Sequence, residues 1–166
     1  MTRLSLRVLV AGLALCAAAG IAHAAAPDKD QAATVVKAME AAARAHDPHT
    51  VIKYMAPNCV LLTNWPKPGG DTRQERETVA EYLNHSLDYN KKATELDYSA
   101  SAPAITIEGD TAVARYRITD KSTLDGKRYE AVADEVATLE LVDGKVLVTK
   151  TEAIVTNFTI DGKRAF

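Results

Sequence analysis

The chain has 166 residues, 47% of them hydrophobic, and carries 20 lysine and arginine residues against 22 aspartate and glutamate. That length is enough to bury a core without disulfides or a structural metal. The near balance of charge, without a basic stripe or arginine-rich arm, argues against a nucleic-acid partner and offers nothing to an anionic membrane surface.

Arg3 and Arg7 open the chain, an apolar run follows from Val8 to about Ala22, and Ala22-His23-Ala24 closes it. A cationic start, a short apolar stretch and a small-x-small triplet form the pattern of a secretory signal. Cleavage after Ala24 and a periplasmic or secreted destination in a bacterium are therefore expected, with one domain over residues 25–166. Lipidation at Cys16 competes with this reading, but the bulky Leu15 before it stands where a small residue is the rule. The run falls short of the roughly 20 apolar residues that span a bilayer, and no later stretch comes close, so stable membrane insertion is not expected. Without residues 1–24 the charges are 18 basic and 22 acidic, a balance of −4, and Cys59 is the one cysteine left. Its neighbours Val60-Leu61-Leu62 mark it as a small core residue.

Helical spacing comes first. From Asp30, residues Ala32, Val35, Val36, Met39, Ala42 and Ala43 fall three and four apart on one apolar stripe. Asp47 can cap a second, short helix with Pro48 in its first turn and Val51, Ile52 and Met55 on its buried face; Pro57 and Asn58 end it. Cys59 to Asn64 reads as a strand and Trp65 to Gly70 as a loop. Thr72-Arg73-Gln74-Glu75 fits a capping box opening a third helix, with Val79, Tyr82, Leu83 and Leu87 on one face. From Ala93 the period becomes two, giving strands at residues 94–100, around Ile105 and Ile107, at Thr111–Thr119, at Tyr129–Val142 and from Lys145 to about Thr156, with Asp143-Gly144 as a hairpin turn. Helices first and strands last imply an α+β domain, three helices packed on one face of a curved, mostly antiparallel sheet.

Three segments carry a resemblance to a known family. Ala43-Arg44-Ala45-His46-Asp47-Pro48-His49 resembles the junction between the first two helices of the nuclear transport factor 2-like superfamily, which includes ketosteroid isomerase, scytalone dehydratase and SnoaL-like proteins. Gly109-Asp110-Thr111-Ala112-Val113 and Asp143-Gly144-Lys145-Val146 are similar to its paired hairpins. The resemblance implies a cone with an internal pocket. Many members carry a tryptophan where Val146 stands and a histidine in the final strand, which this chain lacks.

Alternation sorts the strands of that cone. Tyr129, Ala131, Ala133, Glu135, Ala137, Leu139 and Leu141 share one face, assigned to the inside because it is apolar and mostly small. Ala112, Ala114, Tyr116 and Ile118 are expected to face it, as are Leu147, Thr149, Thr151, Ala153 and Val155. Small side chains leave room for a small, largely apolar molecule. Glu135, or Asp134 after a one-residue slip, is the candidate acid or base, because an apolar pocket raises a carboxylate's pKa. Tyr116 and Tyr98 are candidates for hydrogen-bonding a ligand oxygen or developing enolate. Tyr54 and Tyr82, on the roofing helices, and Thr149 and Thr151 complete the expected ligand contacts. Two functions follow: an exported binding protein, and a cofactor-free enzyme of ketosteroid isomerase or SnoaL-like type. No cofactor and no metal are expected; His46-Asp47-Pro48-His49 fits helix capping better than metal ligation. On the opposite face Arg115, Arg117 and Lys150 alternate beside Asp134, Glu140 and Glu152, while Val132, Val136, Val148 and Ile154 give apolar surface for a homodimer through the convex side of the sheet.

Overall fold

In the computed structural model, residues 26–67 and 71–165 are described; the expected signal, its cleavage triplet and Cys16 lie outside the described residues. Helix α1, Lys29–Arg44, starts earlier than Asp30 because Asp28 supplies the cap: its carboxylate accepts from the Gln31 amide (2.7 Å), and the Gln31 side chain accepts from the Asp28 amide (3.2 Å). Helix α2, Pro48–Val51, has Asp47 as its cap, accepting from the Thr50 amide at 3.1 Å, and passes into a 3-10 turn at Ile52–Tyr54.

Strand β1, Met55–Pro66, begins before Cys59. Pro57 and Asn58 do not simply end a helix: they sit where the pairing with the last long strand jumps from Met55↔Val148 to Val60↔Lys150. Proline lacks an amide donor, so it falls where the ladder is broken. The expected capping box at Thr72–Glu75 is corrected by strand β2, Thr72–Thr78, which pairs antiparallel with β1. The same Thr-x-x-Glu spacing recurs six residues later, where Thr78 accepts from the Glu81 amide and Glu81 accepts from the Thr78 amide, opening helix α3, Val79–Lys92. Only the second copy precedes an apolar helical stripe; the first lies in a charged edge strand.

Strands β3 (Thr94–Ala100) and β4 (Ala104–Glu108) share β5 (Thr111–Leu124) as partner, followed by β6 (Lys127–Val142), β7 (Lys145–Ile160) and the short β8 (Lys163–Arg164). The β5–β6 and β6–β7 turns are Asp125-Gly126 and Asp143-Gly144, both residues of each at positive φ, the geometry of a two-residue hairpin. Asp161-Gly162 repeats it into β8. The sheet runs β2-β1-β7-β6-β5-β3, with β1 and β7 parallel and the rest antiparallel. It is a large mixed, unclosed sheet with the helices on its inner face.

Along the inner face the two ends differ. At one end Ala32, Val36, Met39 and Ala42 of α1 pack on Ala112, Ala114, Ala137, Leu139 and Val148, joined by Val51, Met55 and Cys59; Leu139 and Val148 are fully buried. At the other end the inward positions of β6 are Ala131, Ala133 and Glu135, and the space above them is not filled. On the convex face Arg117 makes two bonds to Asp134 (2.8 and 3.1 Å), which fixes Asp134 outside and Glu135 inside.

The expected alternation of β7 is corrected by two bulges. Thr138↔Lys150 is followed by Leu139↔Val148, which leaves Thr149 as an extra residue, and Val132↔Asn157 is followed by Ala133↔Val155, which leaves Thr156 as another. A bulge reverses parity beyond it. Val148, expected on the convex surface, is therefore core, and Leu147 exchanges places with it.

Candidate pocket of the cone

The hollow end is a cavity of about 370 Å³, open on one side. Its inner wall is built from alternate residues of three strands: Tyr116, Ile118 and Asp120 of β5; Ala131, Ala133 and Glu135 of β6; Thr151, Ala153 and Val155 of β7. Met39, Glu40 and Ala43 of α1 and Tyr82, Ser86, Tyr89 and Asn90 of α3 cover it, with Tyr98 and Trp65 on its flanks.

Tyr116 and Glu135 are direct cross-strand partners, so their side chains leave the sheet together. The Tyr116 hydroxyl donates to Glu135 Oε1 at 2.8 Å. On the other side Glu135 pairs with Ala153, whose small side chain leaves the carboxylate facing open space. Loss of hydration raises the Glu135 pKa, Glu40 adds to the rise, and the Tyr116 hydrogen bond opposes it. Burial and the Glu135 charge likewise hold the Tyr116 and Tyr98 hydroxyls well above the usual phenol range, so both remain proton donors at any physiological pH.

Asp120, Glu40 and His46 are among the lining groups that were not sequence candidates for the pocket. Asp120 is shifted from its ordinary 3.8 to about 6 by burial, with Asp97 adding and His46 opposing. It stands two residues beyond Ile118 on the same face, one position past the expected strand end at Thr119; carrying the alternation one step further reaches it. Glu40 lies four residues after Val36 and three before Ala43, on the edge of the α1 stripe, a spacing that a search confined to apolar residues passes over. Burial raises its pKa, against the pull of Arg44 and Lys37, and its Oε1 is enclosed without a hydrogen-bond partner. His46 lines the cavity at the α1–α2 junction with φ +53°, its carbonyl accepting from the Asn90 side chain at 2.9 Å.

Of the ligand contacts expected from sequence, Tyr82, Tyr98 and Thr151 line the cavity. Two do not. Tyr54 closes the 3-10 turn and packs against the solid core. Thr149 occupies the β7 bulge and bonds Glu140 at 2.9 Å instead. Trp65, expected in a loop, stands at the end of β1, donates to Glu75 at 2.8 Å and meets the Phe158 ring edge-on at 5.5 Å; it both anchors the strand end and lines the cavity. Among the described residues no group of three or more histidine, cysteine, aspartate or glutamate side chains is arranged to hold a metal, and no helix is long and apolar enough to cross a membrane.

Comparison with known proteins bears on this architecture. Residues 35–148 match the family model described as a SnoaL-like domain. No curated protein matches the sequence. Solved structures do. A protein of the nuclear transport factor 2-like type from Cytophaga hutchinsonii is 17% identical, with a TM-score of 0.60 over 78% of this chain and 98% of that one. A ketosteroid isomerase-like protein from Erwinia carotovora atroseptica is 16% identical, with a TM-score of 0.56 over 78% and 98%. A type 2 hexachlorocyclohexane dehydrochlorinase is 12% identical, with a TM-score of 0.58 over 79% and 88%. At these identities the likeness is one of fold.

Proposed function

Because the chain belongs to the SnoaL-like domain family, in the nuclear transport factor 2-like superfamily, we propose that its cone is a working pocket and that the protein binds a small, largely apolar molecule there. The observation that carries this reading is the uneven packing of one inner face. Leu139 and Val148 fill one end, while alanines and two hydrogen-bonded polar groups line about 370 Å³ of open space at the other. Pockets of this size, apolar with a few convergent polar groups, are the usual form of small-molecule sites. The neutral dye phenylnaphthylamine tests it. Saturable, one-to-one fluorescence enhancement is expected, lost in Ala131→Phe, which fills the hollow; enhancement that never saturates, or that survives the filling, refutes the reading.

A second reading is favoured by the Tyr116–Glu135 bond. A deeply set carboxylate with a raised pKa is poised to take a proton from a carbon of the bound molecule and return it at another, without any cofactor. Neighbours of this fold include the ketosteroid isomerase-like protein and the dehydrochlorinase. Under this reading Glu135→Gln abolishes turnover of a convertible ligand even at saturating concentration.

We also propose export, with cleavage after Ala24, supported by the signal pattern of residues 1–24; N-terminal sequencing of the periplasmic fraction checks it. Pairing of two copies through the convex sheet face is supported by Val132, Val136 and Ile154, the last 52% exposed. Light scattering is expected to give a dimer that Ile154→Glu reduces to a monomer, and a wild-type monomer at micromolar concentration rules it out.

A further inference from the structure

We propose that the occupant of the cone is an organic cation, an amine or quaternary ammonium on an apolar body, with its charge held between Glu40 and Glu135 against the tyrosine rings. This rests on the reading of the cone as a small-molecule pocket and names the class of molecule it takes.

The charges of the lining are one-sided. Five carboxylates, Glu40, Asp47, Glu77, Asp120 and Glu135, face the cavity against the single histidine His46, which acts on Asp120, and no lysine or arginine does among the described residues. Asp47 is committed to the α2 cap and Glu77 to His85. Glu40, Asp120 and Glu135 remain, delivered by α1, β5 and β6, so they converge from three elements rather than sharing one solvated face. Lys37 and Arg44 reach Glu40 only through their fields: both are exposed on α1, and neither bonds its enclosed Oε1, which has no hydrogen-bond partner. Glu40 in turn acts on Glu135 across the cavity. Two partly desolvated carboxylates lining one cavity are relieved by a compensating positive charge, either a shared proton or a bound cation, and a bound cation satisfies both at once without protonating either.

The remaining lining suits such a charge. Tyr82, Tyr98, Tyr116 and Trp65 present aromatic surface, which attracts a desolvated cation. An anionic ligand would be repelled by these carboxylates. A neutral one would leave the carboxylates uncompensated. Ala43, Ala131, Ala133 and Ala153 leave apolar room for the body that carries the charge, and the volume fits one aromatic ring with a substituted ammonium group.

Trp65 is the chain's one tryptophan and lines the cavity, so its emission reports occupancy directly. Three ligands of similar size are compared on the full protein at pH 8, where Asp120 is ionised: benzyltrimethylammonium, the neutral alcohol 2-methyl-1-phenyl-2-propanol and phenylacetate. The cation is expected to bind at least ~10-fold more tightly than the alcohol, which corresponds to ~1.4 kcal/mol, and phenylacetate to give no saturation. Glu40→Gln, which keeps the shape of the side chain, is expected to weaken the cation about 10-fold and leave the alcohol unchanged. Equal affinity for alcohol and cation, or a cation affinity indifferent to Glu40→Gln, overturns the inference while phenylnaphthylamine binding keeps the pocket. Failure of all four probes overturns both.

Discussion

Asp120→Asn gives the most quantitative check on the pocket's electrostatics. The folded protein shifts this carboxyl from 3.8 to about 6, chiefly by burial. A carboxyl whose pKa is higher folded than unfolded binds more protons in the folded state. Its contribution is therefore fully present below pH 3.8 and is lost as the pH rises through the folded value. A rise of that size, at ~1.36 kcal/mol per pH unit, sets the loss at about 3 kcal/mol by pH 7, most of it appearing between about pH 4 and pH 6. Asparagine has no charge to desolvate, so the variant is expected to match the wild type near pH 3.5 and exceed it by up to about 3 kcal/mol above pH 7. The attraction of His46 is already contained in that net shift. Urea unfolding at half-unit steps from pH 3.5 to 8, at constant ionic strength, gives the difference directly. The reasoning is refuted if the two curves run parallel, or if the variant is the weaker at pH 7, because then Asp120 is already compensated in the folded state.

Glu135→Gln follows the same sign: its pKa is raised by burial and by Glu40, so the variant gains thermal stability over the wild type at neutral pH and loses that advantage below about pH 4, read as the gap between melting temperatures. Leu139→Ala opens the fully buried contact between β6 and α1 and is expected to cost about 2–5 kcal/mol by urea unfolding; a cost under about 1 would place Leu139 outside the core. The Cys59 thiol, pushed up to about 11 by burial, is expected to react with Ellman's reagent at pH 7.5 only as the chain unfolds, measured in protein carrying Cys16→Ser.

The fold was legible where periodicity and turn chemistry agreed. The α1 stripe of Ala32, Val35, Val36 and Met39 is buried as a 3.6-residue repeat demands, and the inward set on β6 follows from strict alternation over a strand with no break of its own. Asp143-Gly144 set the β6–β7 register from two residues. The capping box went astray because its spacing occurs twice within ten residues, and hydrogen bonding by threonine and glutamate is indifferent to whether the following segment is apolar. What separates Thr72 from Thr78 is tertiary: β1 needs an antiparallel partner on its free edge, and Thr72–Thr78 is the segment within reach.

The site was half legible for a related reason. A face is inherited along a strand only while every residue has a partner, so the rule reads Glu135 and Tyr116 correctly on an unbroken β5–β6 ladder and fails at Thr149 on β7. The β7 bulges answer a demand the local sequence does not contain. Strand β7 pairs with β6 on one side and runs parallel to β1 on the other, where the partner itself skips from Met55 to Val60. An extra residue opposite that skip lets Val148 enter the core while Thr151, Ala153 and Val155 still face the hollow. Without it, a chain that buries Val148 would turn Lys150 and Glu152 into the cone beside Glu135. The bulge at Thr149 therefore keeps a lysine out of the pocket, and it is the same device that leaves Glu40 and Glu135 without a lysine or arginine partner inside it.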